Sequence, residues 1–172
     1  IIDTDSDHIG ANRAAAIAAG SSPYVAWLDS DDLLMPLGIQ PMLDELEQHP
    51  EACGVYSNRQ QIDATGKVLL TMMFSQWNPR QQINGQYFPH QLAIYRREAI
   101  TPHLSTMATF KTYSEFVVAG LATQFGPWRH VPIIAYQRRE RDYYINHARP
   151  IDRQTTARAL AIVTPILQSR VR

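Results

Sequence analysis

A short apolar run, Tyr24-Val25-Ala26-Trp27-Leu28, stops without transition on Asp29-Ser30-Asp31-Asp32. A run of this kind bounded by breakers predicts a buried strand over 24–28. The segment before it is equally constrained. Residues 12–19 are rich in alanine, the best helix former, and Gly20 is placed to end the helix. Ser21-Ser22-Pro23 is turn chemistry. Helix, turn, buried strand and acidic loop therefore follow one another within the first 32 residues.

The rest of the chain extends an α/β order. A second helix is expected from Pro36 or Leu37 to Gln48, with Leu37, Met42, Leu43 and Leu46 on its apolar face and Pro41 in its first turn. A strand follows over 53–58, then a hairpin over 60–70 in which Gly66 supplies a positive φ. Residues 71–90 read as a loop over a site or as a long connection. A strand over 92–95 leads into Arg96-Arg97-Glu98. The spacing of Thr112 and Glu115 predicts a capping box for a helix over 112–125, with Phe116, Val117, Leu121 and Phe125 on its apolar face. Residues 131–136 read as a strand, 137–149 as a polar, arginine-rich stretch, and 151–168 as a helix that Pro165 disturbs.

Composition narrows the function classes. Sixteen basic residues balance 16 acidic ones, which disfavours a general binder of nucleic acid or anionic membrane. A single cysteine, Cys53, leaves neither a disulfide framework within the chain nor a cysteine-rich zinc site. No apolar run approaches the ~18–20 residues of a membrane span. The length of 172 residues suits one domain.

In α/β folds ligands bind beyond the carboxyl ends of the strands, which directs attention to residues 29–32. Clustered aspartates repel unless their charge is offset. Mg²⁺ or Mn²⁺ does this well, bound by one or two carboxylates and completed by substrate phosphates. The bland alternative is a solvated turn in which Asp31 or Asp32 caps the next helix.

The stretch Gly10-Ala11-Asn12-Arg13-Ala14-Ala15-Ala16-Ile17, then Gly20, then Tyr24 to Asp32 resembles the core signature of family 2 glycosyltransferases of the GT-A fold. Ile17 lies twelve residues before Asp29, as the family's helix isoleucine does, and Arg13 takes the family's arginine position. Ala14 departs from the usual asparagine. The segments 53–58 and 62–67, Gln91 to Ile100, and Val131 to Tyr136 with Arg138 resemble later elements of the family, including bacterial capsule polysaccharide enzymes.

The resemblance implies a nucleotide-diphospho-sugar transferase-like fold, a three-layer α/β/α arrangement around a mixed sheet. It implies one domain over 1–172. Residues 1–35 would end the nucleotide-binding half, 36–150 would form the acceptor-side half, and 151–172 a C-terminal helix. It implies a metal-dependent, inverting transfer from a nucleotide-diphosphate donor, a UDP-sugar first among them, to a saccharide or other hydroxyl acceptor. Mn²⁺ or Mg²⁺ is the implied cofactor, with Asp29 and Asp31 as metal and donor ligands and Arg13 on the donor. Asp31 is the implied direct ligand and Asp29 the partner of ribose or sugar. The implied setting is bacterial polysaccharide assembly in the cytoplasm, or at the inner face of the membrane as a peripheral protein, with no nucleic acid involved.

The base is where the chain departs most. Without gaps the family's base aspartate falls on Tyr113, and only a second acid survives, as Glu115. Three alternatives stay open: Glu115 is the base, another carboxylate is, or the domain is a non-catalytic GT-A-like module that binds a nucleotide or a protein. Asp32, His90, Tyr113 and His147 complete the candidate site, His90 on the acceptor side and His147 as a later metal ligand. Surface or structural roles are the alternatives for both histidines. Trp77 and Tyr87 could stack on a sugar or pack in the core. Arg138, Arg139 and Arg141 could neutralise a diphosphate or form a solvated basic turn. The chain opens on Ile1-Ile2-Asp3 without methionine. The resemblance makes residues 1–5 the strand before the first helix, so the chain reads as the metal-site and acceptor half of a larger fold, or as a shortened relative.

Overall fold

The structure is a computed structural model and describes residues 8–84, 89–90, 92–140 and 152–171. Helix α1 spans Ile9–Ala19 and α2 Ile39–Gln48. Between them lie two short strands, β1 at Tyr24–Val25 and β2 at Leu33–Leu34. Strand β3 covers Gly54–Ile62, β4 Val68–Met72 and β5 Ala93–Arg96, with α3 at Pro79–Ile83 before β5. Three short helical pieces follow: α4 at Arg97–Ile100, a 3-10 turn at Thr101–His103 and α5 at Leu104–Ala108. Helix α6 is Ser114–Ala122, β6 is Trp128–Arg139, and α7 is Arg153–Ser169.

The six strands form one mixed sheet in the order β1-β5-β3-β6-β2, with β4 also paired to β3. Strands β3 and β6 run parallel as its centre, and the other pairings are antiparallel. Side chains alternate across the strands, so each face packs a different set of helices. Met42 and Leu46 of α2 pack with Val55, Ile94 and Ala135 on one face. Ile17 of α1, Met107 of α5 and Val118 and Ala119 of α6 pack with Tyr56, Tyr95 and Trp128 on the other. Helix α7 adds Ala159, Val163 and Leu167 to the outer side of α6. This is the expected mixed α/β arrangement.

Several expectations need correction. Strand β1 stops at Val25, because it pairs with β5 only through Tyr24 and Val25. Leu28 is half exposed rather than buried. Helix α2 begins at Ile39, so Leu37 is outside it and 89 % exposed. Gly38 approaches β6 so closely that a Cβ there would lie 2.9 Å from Ala135. Glycine is thus used for that approach, and Leu37 takes the left-handed conformation at φ 60° in the turn closed by Gly38 N–H to the Met35 carbonyl. In the hairpin, Gly66 has the expected positive φ of 91°. Strand β6 runs on to Arg139, into what reads as a polar stretch. Helix α6 ends at Ala122, which leaves Phe125 41 % exposed instead of on its apolar face. The expected strand over 1–5, along with Tyr87, Arg141 and His147, lies outside the described residues.

Candidate functional site

Arg13 is the hub. Gly10, Ala14 and Ile17 form the buried side of α1, and Arg13, beside Ala14, reaches past the end of β1. Its Nη2 donates to Oδ1 of Asp29 at 2.7 Å. Its Nη1 lies 3.2 Å from Oε2 of Glu115 in an ion pair. The guanidinium also sits over the Trp27 ring, 5.2 Å from its centroid. Burial works against the Arg13 charge, and the Glu115 and Asp29 carboxylates more than offset it, so its pKa lies above the ordinary value. One cation therefore joins the acidic loop to the start of α6.

Within the acidic loop the three aspartates diverge. Asp32 is buried. Its Oδ2 accepts the Tyr136 hydroxyl at 2.6 Å and its Oδ1 the Arg139 backbone N–H at 2.7 Å. Burial raises the Asp32 pKa against the lowering effect of those two bonds. The Tyr136 hydroxyl is pushed far up by its own burial and by Asp32. Arg139 reinforces the attachment, donating to the backbone carbonyls of Asp31, Asp63 and Ala64. Asp32 is thus a latch between the loop and β6. Neither Asp31 nor Asp32 caps α2, because β2 intervenes. Asp31 is exposed and Asp29 half-buried. Among the described residues, no three His, Cys, Asp or Glu side chains converge to hold an ion unaided. Two carboxylates at i and i+2 still fit a hard cation that takes its remaining ligands from a diphosphate.

Helix α6 delivers Glu115. Tyr113, not Thr112, is its cap, held at φ 64° with its carbonyl accepting Val117 N–H. The capping box over Thr112 does not form, because the helix starts two residues later. Glu115 instead turns its Oε2 to Arg13 and to the Ser114 hydroxyl at 3.1 Å. Its Oε1 lies 3.9 Å from Nε2 of His90. Trp27, His90, Ala93 and Glu115 line a narrow crevice there. Nδ1 of His90 is 3.0 Å from Nη1 of Arg59 on β3. Burial first, then Arg59, Arg138 and Arg13, hold His90 well below its ordinary pKa.

Arg13, Asp29 and Glu115 therefore form one connected group, and His90 faces it across 3.9 Å. Tyr113 adjoins the group through the backbone while its side chain packs against the apolar cluster between α6 and α7. A cleft of about 260 Å³ runs along α1 and β1 between Arg13, Tyr24, Trp27 and Arg97. Other candidates have structural duties. Trp77 donates its indole N–H to buried Gln82. Arg138 pairs with Glu140 at 3.2 Å. Arg96 and Arg97 turn to backbone carbonyls, Arg96 to Ala52 and His49 and Arg97 to Ile17 and Ser22. Sequence reasoning misses Arg59, which has no local signal: its partner His90 is 31 positions away.

The fold and site define a mixed α/β domain that sets an acidic loop at one strand end against a carboxylate on a facing helix. Residues 1–103 match the model of glycosyl transferase family 2, and the chain belongs to that family. A search of curated proteins finds no match to it. Among the described residues no helix is long and apolar enough to cross a membrane.

Proposed function

We propose that the chain carries the donor-metal and acceptor sides of an inverting glycosyltransferase, with a nucleotide-diphosphate sugar, a UDP-sugar first, as donor and a saccharide or other hydroxyl as acceptor. The observation that carries this reading is the Arg13 guanidinium shared by Asp29, at 2.7 Å, and Glu115, at 3.2 Å. It couples the donor end of the site to the one acid retained in the base block. Residues 1–35 then serve the donor and 36–150 the acceptor, with the reaction on the cytoplasmic side.

Glu115 is the base in this scheme. Its Oε1 takes the proton of the acceptor hydroxyl as that oxygen bonds to the anomeric carbon. The bond from that carbon to the diphosphate breaks, the electron pair leaves with the diphosphate, and the configuration inverts. Asp31 and Asp29 would hold Mn²⁺ or Mg²⁺, which when bound supplies Lewis-acid stabilisation of charge on the diphosphate. Arg13 holds Asp29 and Glu115 in place and adds positive charge beside the donor. The Asp32 latch keeps the loop on β6.

A second reading, a non-catalytic module, is favoured by Tyr113, which stands where the family's base aspartate is expected. Thermal unfolding with Mn²⁺ and a panel of nucleoside diphosphates tests the donor site. At a hundredfold excess over Kd, ligand adds about 2.7 kcal/mol to stability, and Asp31→Asn should abolish that gain. If no nucleotide at millimolar levels raises the melting temperature, both readings of the site as a nucleotide binder fail. Binding without transfer supports the module.

A further inference from the structure

The crevice between β5 and α6 holds a histidine whose two ring nitrogens have different neighbours. Nδ1 meets Nη1 of Arg59 at 3.0 Å. A guanidinium can only donate, so Nδ1 must accept and the proton of the neutral ring sits on Nε2. That nitrogen faces Oε1 of Glu115 at 3.9 Å. Arg59 is itself fixed: its Nε donates to the Met72 sulfur at 3.4 Å and its guanidinium lies 5.8 Å from the Phe74 centroid. Among the described residues, the charged groups facing the imidazole include Arg59 from β3, Arg138 from β6, Arg13 from α1 and Glu115 from α6. Three of these are cations, and together with burial they keep the ring neutral.

With Nδ1 occupied and Nε2 protonated, His90 has no lone pair to offer an acceptor hydroxyl and is not a second base. An ionised carboxylate has about four acceptor positions. Arg13 and Ser114 address Oε2 of Glu115. We propose that His90 is a positioning residue for Glu115: fixed by Arg59 as the Nε2–H tautomer, it donates to Oε1 and leaves one lone pair of that oxygen for the acceptor hydroxyl. The gap of 3.9 Å is longer than a hydrogen bond, and contacts of this kind tighten when substrate binds. The inference rests on Glu115 as the base.

Long-range ¹H–¹⁵N NMR of the whole chain reads the tautomer without any need for activity. The expected result at pH 7 is a neutral ring protonated on Nε2. Arg59→Met should release that preference and bring the ring's titration toward the ordinary value of about 6.5. An Nδ1–H tautomer or an imidazolium in the unsubstituted chain overturns the inference and leaves Glu115 as the base untouched. Transfer assays supply the second arm. His90→Gln places an amide N–H near the Nε2 position and should keep most of kcat. His90→Asn keeps only an acceptor for Arg59 and should lower kcat about tenfold or more, with KM for the donor unchanged. The acid limb of the pH profile should move in Asn and stay in Gln. Equal kcat in both variants overturns the proposal. Absence of transfer by the unsubstituted chain overturns the Glu115 reading as well.

Discussion

Removing the Asp32 carboxylate tests whether the acidic loop is held by its own last residue. Asp32 is 8 % exposed and Tyr136 fully buried. The carboxylate accepts a hydroxyl at 2.6 Å and a backbone N–H at 2.7 Å. A hydrogen bond to a charged group contributes ~1.5–3 kcal/mol. Two such bonds in one small network are not fully additive. Asp32→Ala should therefore cost about 3–5 kcal/mol, with the Tyr136 hydroxyl left buried and unsatisfied. Asp32→Asn keeps the shape and can turn its Oδ1 to the Arg139 N–H and its amide NH₂ to the Tyr136 hydroxyl oxygen, but it loses the negative charge that strengthens both bonds. Its cost should be about 1.5–3 kcal/mol. Urea unfolding at pH 7 measures both, and a cycle with Tyr136→Phe should give a coupling energy of ~0.5–3 kcal/mol. If Asp32→Ala changes stability by less than about 0.5 kcal/mol, the range of ordinary surface substitutions, the latch does not exist as described.

Three other outcomes follow from the same geometry. Because His90 has a folded pKa well below that of the unfolded chain, its neutral form contributes stability that is present above about pH 6.5 and lost as pH falls toward the folded value. Stability measured at pH 7, 6 and 5.5 should fall more steeply than in His90→Gln, by up to about 1.4 kcal/mol per pH unit; parallel curves would contradict a neutral, half-buried ring. A Cβ at Gly120 would lie 2.2 Å from Val163 Cγ1, so Gly120→Ala should cost about 1–3 kcal/mol and Val163→Ala in that background should recover part of it in thermal melts. Leu37 packs against little at 89 % exposure and holds a left-handed φ of 60°, so Leu37→Gly should gain about 0.5–1 kcal/mol; a loss on melting would show that the leucine has a contact partner.

What the sequence revealed was local. Alanine content located α1, the apolar run located β1, and Gly66 located the hairpin, because each signal lies within a few residues of the structure it dictates. The site's connections are not local. Arg13 and Asp29 are 16 positions apart, close enough for the helix–turn–strand order to suggest their meeting. The partners of Asp32 lie 104 and 107 positions away, and nothing near residue 32 distinguishes a latch from a metal ligand. Strand β6 was obscured by its own chemistry: Gln137, Arg138 and Arg139 are half-buried strand residues whose side chains bond Gln60, Glu140 and loop carbonyls. The Thr112-to-Glu115 spacing misled because left-handed Tyr113 starts the helix later and frees Glu115 to face Arg13.

The central claim is that Glu115 removes the acceptor proton beside a donor held at the acidic loop. Transfer of sugar from a panel of UDP-sugars in Mn²⁺, comparing the chain with Glu115→Gln, tests it most directly. The account predicts transfer by the unsubstituted chain and a fall of about 10²-fold or more in Glu115→Gln, with Mn²⁺-dependent UDP binding retained. Equal transfer by both, or binding without any transfer by the unsubstituted chain, would contradict it.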